Sequence, residues 1–377
     1  MMGHIAILLP GIDSVSGAEQ QALLIARQMA RRQWRITVIA MSGSGGEAGA
    51  SLAQEGIPFF SLQMRKAFLD PRGWKQLKAW LRLEKPDILH AHLPHATWLA
   101  RWSRFLTPTR VQMDTLHTSS LGPSTRQLGY RLSRSIPTCV TAVSKSVAQA
   151  YADANLVDVD RLLVLPNAVD TDHWKPRDSK HSPLRQQLGV GDAFLWATVG
   201  RLEPVKDYPL MLQALSRLDP SVHLAIAGDG SLRNPLHRLA EHLGIAERVH
   251  FLGFLPDPLP LLQSADAFVL ASLWEGLPMA ILEAGACSLP IVATDVPGTA
   301  NVLTHGQNGL LAVLGNLEAM TATMQRMMET AEDERQAMGA RAREEIVQHY
   351  RMDLVMEQWH SLYLKLLEEN TQPLRMG

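Results

Sequence analysis

The chain has 377 residues, of which 46% are apolar and 19% are charged. This balance is typical of a globular protein, and the length exceeds what one ordinary hydrophobic core serves, so two domains are expected. The two cysteines exclude a disulfide framework and favour a reducing compartment. No apolar run approaches the roughly 20 residues of a membrane span, and no basic leader precedes the first apolar run, so we expect a buried first strand and no signal peptide.

Short apolar runs alternate with segments of helical period along most of the chain. This alternation predicts strands joined by helices, and hence parallel sheets covered on both faces. A polar, proline-rich connector, RLLVLPNAVDTDHWKPRDSKHSP, separates two such series, so we predict two doubly wound domains joined near residue 170 and a wholly helical C-terminal end. The predicted strands are IAILL, ITVIA, PFFSL, DILHA, RVQMDTL and TCVTAV in the first series, and AFLWATVG, VHLAIAG, RVHFLG, AFVLAS, LPIVATD and NGLLAVL in the second.

The net charge of −1 conceals an uneven distribution. Residues 1–169 contain 19 Lys and Arg against 11 Asp and Glu, a net charge of +8, whereas residues 170–377 contain 17 against 26, a net charge of −9. Aromatic residues are interleaved with the cations of the basic half in RKAFLDPRGWKQLKAWLRLEK (65–85), RWSRF (101–105) and RQLGYRLSR (126–134).

Two interpretations of these basic segments remain open. Cations with interfacial aromatics suit an anionic membrane surface. The alternative is a solvated helix whose Trp74, Leu77, Trp80 and Leu81 pack on the core. No nucleic-acid-binding motif accompanies the charge, so nucleic acid is not an expected partner.

A pair of cations follows the predicted strand AFLWATVG. Arg201 and Lys206 lie in RLEPVKDYPLMLQAL, just before a helix predicted to open near Asp207 or Pro209. Ligands of open parallel sheets bind beyond the carboxyl ends of the strands. A helix N-terminus supplies partial positive charge and the two side chains add full charges, a combination that suits a diphosphate. Taken alone, the pair would be two solvated cations, so a second ligand-binding element is needed.

That element is LWEGLPMAILEAGACSLPIVATDVPG (273–298), which follows the predicted strand AFVLAS. Pro278 indicates that a helix begins only after Glu275, so Glu275 lies in a loop and Glu283 on the first turns of the helix. Carboxylates accept hydrogen bonds from sugar hydroxyls. With about 1.5 Å of rise per helical residue the two carboxylates lie on the order of 10 Å apart, enough for two rings of one nucleotide-sugar.

The order and spacing of these motifs resemble retaining GT-B glycosyltransferases of family 4, also called glycosyltransferase group 1. The resemblance extends over nearly the whole chain and is strongest in the C-terminal half. It is carried there by GRLEPVKDYPLMLQAL, AIAGDGSLR, VHFLGFLPD and ADAFVLASLWEGLPMAILEAGACSLPIVATD, and in the N-terminal half by SGAEQQALLIARQMARRQWRITVI, DILHAHLPH, TLHT, TAVSKSVAQAY and LVLPNAVDTDHWKP.

The resemblance implies an α/β GT-B fold. Two Rossmann-like, doubly wound parallel-sheet domains would face each other across a cleft, and the C-terminal helix would cross back to the N-terminal domain. Residues 1–169, with the final helix at about 353–377, would form an acceptor-binding domain. Residues 170–352 would form the nucleotide-sugar donor domain.

The resemblance also implies roles for individual residues. Arg201 and Lys206 would bind the donor diphosphate, Glu275 the donor sugar and Glu283 the nucleotide ribose. His117 would lie against the sugar near the reacting carbon and complete a catalytic set with Arg201, Lys206 and Glu275. The other implied donor-binding residues are Gly17 beside the phosphates, Phe254 and Leu255 facing the base, and the Gly276, Leu277, Pro278 and Met279 segment around the sugar and phosphates.

The implied reaction moves a sugar from a nucleotide diphosphate sugar to a hydroxyl of a glycan, glycolipid or polyprenyl-linked acceptor in cell-envelope polysaccharide synthesis. It would retain the anomeric configuration and use neither a metal nor a cofactor. A nucleotide-sugar epimerase of the same fold is the main alternative, and a non-catalytic homologue is another. We expect a cytoplasmic protein, peripheral on the inner face of the plasma membrane.

Some positions depart from the family pattern or permit another interpretation. Ala168 and Ser288 stand where glycine is usual, and Asn301 stands where glutamate is common. The segment HAHLPH places His90, His92 and His95 close together, but no nearby cysteine or carboxylate completes a metal site, so we predict none.

Overall fold

The computed structural model describes residues 2–13, 16–65, 70–176 and 182–370. The chain divides into an N-terminal unit, residues 1–168 with 353–377, and a C-terminal unit, residues 169–352. Each unit contains one parallel sheet with helices, which confirms the predicted α/β class with two Rossmann-like domains.

The N-terminal unit is built on a seven-stranded sheet. Its strands are β1 (His4–Leu9), β2 (Arg35–Ala40), β3 (Phe59–Ser61), β4 (Ile88–His92), β5 (Val111–Leu116), β6 (Cys139–Ala142) and β7 (Leu162–Val164), in the order β3-β2-β1-β4-β5-β6-β7. Its first helices are α1 (Gly17–Arg31), α2 (Gly46–Gln54), α3 (Pro71–Glu84), α4 (Pro94–Ser103), α5 (Ser124–Leu132) and α6 (Lys145–Asp153).

Strand β7 lies inside the segment interpreted from the sequence as a polar connector, so that part of the interpretation is wrong. The strand has three residues and pairs with β6 at the edge of the sheet, where Leu163 and Val164 stay exposed. Such a short strand, with Pro166 and polar residues two positions beyond its end, is too short for its apolar periodicity to stand out in the sequence. Part of the connector, residues 177–181, lies outside the described residues.

In helix α3 the aromatic residues pack on the core, which agrees with the second interpretation of this basic segment. Leu77 and Leu81 are buried in a core cluster with residues of β1, β2 and β4, and Trp74 and Trp80 pack against that cluster. The cations of the helix face outward, with Arg72, Lys75 and Arg82 exposed. Residues 66–69 of the same basic segment lie outside the described part of the chain.

Arg101 is not a surface cation. Its guanidinium lies at the end of α4 with no solvent exposure, 2.7 Å from the equally buried carboxylate of Asp114 on β5. It also donates to the carbonyl and hydroxyl oxygens of Ser133. A buried charge persists only when it is paired and hydrogen-bonded, so RWSRF contributes one cation fewer to the surface than its letters indicate.

The C-terminal unit is built on a six-stranded sheet. Its strands are β8 (Leu195–Val199), β9 (His223–Ala227), β10 (Val249–Gly253), β11 (Ala267–Leu270), β12 (Ile291–Thr294) and β13 (Leu310–Ala312), in the order β10-β9-β8-β11-β12-β13. Its helices are α7 (Pro183–Gln187), α8 (Tyr208–Ser216), α9 (Arg233–His242), α10 (Leu259–Leu262), α11 (Met279–Ala286), α12 (Pro297–Ala300), α13 (Leu317–Glu329) and α14 (Glu332–His349).

The last helix, α15 (Met352–Glu369), packs on the N-terminal unit, as predicted. Trp359 and Tyr363 are buried, and His360 accepts a hydrogen bond from the Trp34 indole at 3.0 Å. Arg110 donates to carbonyl oxygens at the C-terminal end of the helix, where the helix dipole favours a cation. Within the described ranges, no helix combines the length and hydropathy that crossing a bilayer requires.

Ser288, which stands where glycine is usual, occupies a backbone conformation suited to glycine. It ends α11 with φ of +59°. The amide of Leu289 donates back to the Ala284 carbonyl at 3.1 Å, and a β-carbon on Gly339 of α14 would lie 1.9 Å from the Ser288 carbonyl oxygen. The turn is therefore held in place despite the strain of a left-handed residue that carries a side chain.

We predict that Ser288→Gly raises the free energy of unfolding of the C-terminal unit by about 1 kcal/mol, because glycine adopts this conformation without steric cost. Chemical denaturation measures the change. Ser288→Ala is the matched control, since it removes the hydroxyl but keeps the β-carbon and should not stabilise. Equal stabilisation by alanine would show that backbone strain is not the cause.

Candidate functional site

The centre of the C-terminal sheet is its topological switch point. Strands β8 and β11 are neighbours there, and the chain runs outward from them in opposite directions, through β9 and β10 on one side and β12 and β13 on the other. The loops that leave the carboxyl ends of β8 and β11 therefore enclose a crevice, which is where open α/β sheets bind ligands. Both sequence motifs predicted to bind the donor lie on these two loops.

The loop after β8 carries the two predicted phosphate cations. Arg201 follows the strand closely and is exposed. Lys206 ends a short 3-10 turn, Pro204–Lys206, directly before α8, and only 18% of its side chain is exposed. The Tyr208 hydroxyl donates to the Gly200 carbonyl at 2.9 Å and ties the start of α8 to the end of the strand. Lys206 is therefore held directly before a helix N-terminus, and Arg201 follows the glycine that is tied to that helix.

The GDG loop after β9 supports the β8 loop. Gly228 and Gly230 have φ of +151° and +159°, and β-carbons on them would lie 1.9 Å from the Gly200 carbonyl oxygen and 2.6 Å from that of Leu202. The carboxylate of Glu203 accepts hydrogen bonds from the amide and hydroxyl of Ser231. These glycines permit close approach of two backbones, which accounts for their presence in the loop.

The loop after β11 brings Glu275 onto Lys206. The amide of Leu273 donates to the Val205 carbonyl at 2.8 Å and joins the two loops through their backbones. The Lys206 Nζ atom then lies 2.5 Å from Glu275 Oε1, with 13% of the glutamate side chain exposed. The carboxylate predicted to bind sugar hydroxyls and the ammonium predicted to bind phosphate thus meet in one place, with Arg201 on the same loop as the ammonium.

Gly298, at the start of α12, packs directly against the backbone of Glu275. A β-carbon at this position would lie 2.5 Å from the Glu275 carbonyl oxygen and 2.6 Å from its Cβ. Backbone contact this close leaves no room for any other residue type at position 298 without displacing Glu275. The glycine of the VPG sequence therefore helps to set where the carboxylate lies.

Glu283 lies on α11, which begins at Met279 after Pro278, so the predicted helix start is confirmed. Its side chain is half-buried, and no hydrogen bond joins its carboxylate to another described residue. Burial, with a smaller contribution from the negative charge of Asp257, raises the pKa of Glu283 to about 7. A carboxyl group without protein partners but open to solvent is suited to accept a hydrogen bond from a ligand hydroxyl.

Phe254 and Leu255 follow β10, at the carboxyl edge of the same sheet as the two central loops. Phe254 is 68% exposed, and an exposed ring at a sheet edge can contact a planar base. Gly276, Leu277 and Pro278 are buried between Glu275 and α11. The other two predicted site residues belong to the N-terminal unit. Gly17 is the first residue of α1, and His117 directly follows β5.

Two residues near the predicted site were not identified from the sequence. Asp257 contributes to the raised pKa of Glu283, although it lies 26 positions before it. His92 of β4 hydrogen-bonds to His117 through Nδ1 and Nε2 at 3.0 Å. The sequence did contain a signal for this contact. DILHAH and DTLH each place a histidine at the carboxyl end of a predicted strand, and neighbouring parallel strands bring residues at these ends together.

The HAHLPH histidines do not converge. His90 and His92 are buried on β4, whereas His95 is exposed on the first turn of α4. Among the residues that the structure describes, no three His, Cys, Asp or Glu side chains are grouped so that they could hold a metal ion.

The raised pKa of Glu283 predicts a pH-dependent stability. The unfolded chain loses this proton near pH 4.5 and the folded chain near pH 7, so stability should fall as the pH rises through this interval. Relative to Glu283→Gln, which has no such proton, we expect the wild type to lose about 2 kcal/mol, a figure reduced to allow for partial exposure. Chemical denaturation at a series of pH values measures the difference.

Asp257→Asn is the matched variant for this experiment. It removes the smaller cause of the shift, so the upper end of the interval should move below pH 7. Parallel stability curves for the wild type and Glu283→Gln between pH 4.5 and pH 7 would contradict the assignment.

Comparisons with known proteins place the chain among glycosyltransferases. The family model described as "Glycosyltransferase Family 4" matches residues 15–173, and "Glycosyl transferases group 1" matches residues 182–345. The lipopolysaccharide core biosynthesis glycosyltransferase LpsE of Rhizobium meliloti is 28% identical over 83% of this chain and 85% of its own length. An Escherichia coli UDP-Gal:α-D-GlcNAc-diphosphoundecaprenol α-1,3-galactosyltransferase is 26% identical over 79% of this chain and 80% of its own length.

Solved structures show the same fold. Anabaena HepE, crystallised in complex with UDP and glucose, superimposes with a TM-score of 0.84 at 23% identity, covering 95% of this chain and 99% of its own. Sucrose-phosphate synthase of Thermosynechococcus elongatus gives a TM-score of 0.85 at 16% identity, covering 97% of this chain and 100% of its own. With two family models that together match most of its length, the chain belongs to the group 1 glycosyltransferases of family 4.

Proposed function

We propose that this glycosyltransferase takes its sugar from a nucleotide diphosphate sugar bound at the switch point of the C-terminal unit. The observation that carries the proposal is the contact between Lys206 and Glu275 on the loops after β8 and β11, with Arg201 on the same loop as Lys206. The two cations can bind a diphosphate, and the carboxylate can accept hydrogen bonds from sugar hydroxyls. Glu283 is the corresponding partner for the ribose, and Phe254 with Leu255 for the base.

In the proposed mechanism the cations act on the leaving group. Negative charge grows on the diphosphate as the bond between the sugar C1 atom and the phosphate oxygen breaks. Arg201, Lys206 and the nearby helix N-terminus stabilise that charge, while the sugar becomes oxocarbenium-like. Glu275 and the backbone of Gly276–Met279 hold the sugar in position. This binding set requires neither a metal nor a cofactor.

The acceptor hydroxyl is proposed to attack C1 from the face that the diphosphate leaves, so that the anomeric configuration is retained. Its proton passes to the departing phosphate oxygen, which is the nearest developing base. We assign acceptor binding to the N-terminal unit. We also propose that Gly17 allows the backbone to lie close to the donor phosphates and that His117 contacts the sugar. The E. coli relative named above acts on a diphosphoundecaprenol-linked sugar, which supports a glycan, glycolipid or polyprenyl-linked acceptor in cell-envelope polysaccharide synthesis.

The donor site is tested by nucleotide release from UDP-, GDP- and ADP-sugars, followed by single substitutions assayed with the active donor. We expect Arg201→Ala and Lys206→Ala each to lower kcat/KM by about 100-fold or more, the usual effect of removing a group that stabilises transition-state charge. We expect a loss of about the same size in Glu275→Ala, because the sugar is then no longer held in position. Circular dichroism and thermal unfolding should show an intact fold, because none of the three side chains lies in the hydrophobic core.

Arg217→Ala is the matched control for this experiment. Arg217 is an exposed arginine at the far end of α8, paired with Glu318 at the surface, and its removal should leave turnover unchanged. Wild-type turnover in Lys206→Ala would refute the site. Conversion of the donor sugar without release of nucleotide would instead identify an epimerase.

We further propose that an anionic membrane surface is a partner of the N-terminal unit, through the end of α4. Trp102 and Phe105 are exposed there with ring centroids 5.8 Å apart, and Phe105 is 69% exposed. Leu106 is exposed beside them, and Arg104 lies between the two aromatic residues in the sequence. Exposed aromatic rings beside a cation suit the interface of an anionic bilayer, and we propose a cytoplasmic protein that is peripheral at this surface.

Flotation with phosphatidylglycerol-containing and pure phosphatidylcholine vesicles tests this surface. Binding should require the anionic lipid, and Trp102→Ser with Phe105→Ser should reduce it at least tenfold by removing the apolar contact. Leu83→Ser is the matched control, because Leu83 is 77% exposed on α3, the other basic segment. Equal binding by the double variant, or loss of binding in the control alone, would exclude the α4 surface.

A further inference from the structure

The N-terminal unit contains a row of histidines at the carboxyl ends of two adjacent strands. His90 and His92 lie on one face of β4, and their ring centroids are 4.0 Å apart. His90 uses both ring nitrogens inside the protein, with Nδ1 2.8 Å from the Tyr363 hydroxyl and Nε2 2.7 Å from the Thr115 hydroxyl. Both ring nitrogens of His90 are therefore occupied by contacts within the protein, and its ring is held in a fixed position beside His92.

His92 has a different set of partners. Its Nδ1 atom lies 3.0 Å from Nε2 of His117, while its own Nε2 atom is buried and has no hydrogen-bond partner among the described residues. His117 lies at the end of the row and is only partly buried. No described residue forms a hydrogen bond with its Nδ1 atom. The single contact to His92 is thus what orients the His117 ring and leaves one nitrogen for a ligand.

Both rings are neutral near pH 7. Burial lowers the pKa of His117 to about 4. Burial, followed by the positive charges that His90 and His117 would carry, lowers the pKa of His92 well below its ordinary value. A neutral imidazole has one N–H donor and one acceptor nitrogen, so one ring donates in the contact between His92 and His117 and the other accepts.

The burial of the His92 Nε2 atom determines which of the two rings donates the hydrogen bond. If His117 donated through Nε2, the proton of His92 would lie on its own Nε2 and leave a buried N–H without an acceptor. Orphaned buried N–H groups are rarer than under-satisfied acceptors. The favoured arrangement therefore has His92 donating from Nδ1 to Nε2 of His117.

We infer that His92 is a positioning residue that holds His117 in its Nδ1–H tautomer, so that His117 presents a hydrogen-bond donor to an oxygen of its ligand. The inference rests on the proposed function for the identity of that ligand, a sugar. A donor without positive charge can bind a sugar hydroxyl and does not repel a sugar that becomes oxocarbenium-like. In this arrangement His117 cannot act as a base through Nδ1, because that nitrogen already carries a proton.

The test is direct observation of the tautomer by long-range ¹H–¹⁵N correlation spectra of the full chain labelled with ¹⁵N-histidine, without donor or acceptor. We expect His117 of the wild type in the Nδ1–H form. His92→Asn places an amide N–H near the lost Nδ1–H and should keep that tautomer. His92→Leu removes the donor, and His117 should move to the Nε2–H form that free imidazole favours. His95→Leu is the matched control from the same HAHLPH segment and should delete one signal without changing His117.

Activity provides the second measurement. We expect kcat to fall about tenfold in His92→Leu, by analogy with partners that orient metal-binding histidines, and to recover to within about threefold in His92→Asn. Thermal unfolding verifies the fold of both variants. A wild-type His117 in the Nε2–H form overturns the inference even if every variant misfolds. An Nδ1–H form in a protein that releases no nucleotide from any sugar donor would leave the tautomer assignment standing and refute the proposed function instead.

Discussion

The ion pair between Lys206 and Glu275 is the interaction on which the site depends. The two residues are 69 positions apart, and they meet because β8 and β11 are adjacent at the point where the strand order reverses. The backbone hydrogen bond from Leu273 to Val205 joins the two loops independently of any side chain. Without a ligand, each charge neutralises the other in a half-buried place where an isolated ion would be costly. A diphosphate sugar would replace this contact with two better-matched ones, phosphate on the ammonium and hydroxyls on the carboxylate.

Glycines make this arrangement sterically feasible. Gly228 and Gly230 allow the GDG loop to support the cation loop, and Gly298 lies against the backbone of Glu275. All three positions exclude a β-carbon because a neighbouring carbonyl lies within 2.6 Å of where it would be. The backbone that carries the polar groups of the site is thus fixed by close packing beneath it. Such preorganisation is what electrostatic catalysis requires of a binding site.

Much of this architecture could be predicted from the sequence because its causes are local. Apolar runs of strand length between helical segments predict parallel sheets, and residues just after strands are brought to one edge, so Arg201, Lys206 and Glu275 were identified together. The buried pair of Arg101 and Asp114 was missed, because Arg101 in RWSRF reads as a surface cation until its partner is known. An aspartate inside the apolar strand VQMDTL was the available signal, since a buried carboxylate needs a partner. The contact between His92 and His117 depends on side-chain rotamers, which no periodicity encodes.

The two units differ in electrostatic character in a way that matches the proposed chemistry. Cleavage of a glycosyl phosphate bond creates negative charge on the leaving group and positive charge on the sugar. The switch point of the C-terminal unit supplies a guanidinium and an ammonium, the groups that stabilise a phosphate anion. The histidine row of the N-terminal unit supplies rings that burial keeps neutral, with the pKa of His117 lowered to about 4 and that of His90 to about 3. An imidazolium near an oxocarbenium-like sugar would oppose the reaction. In the proposed mechanism, burial of these rings would therefore also remove a positive charge that ordinary histidines partly carry near neutral pH.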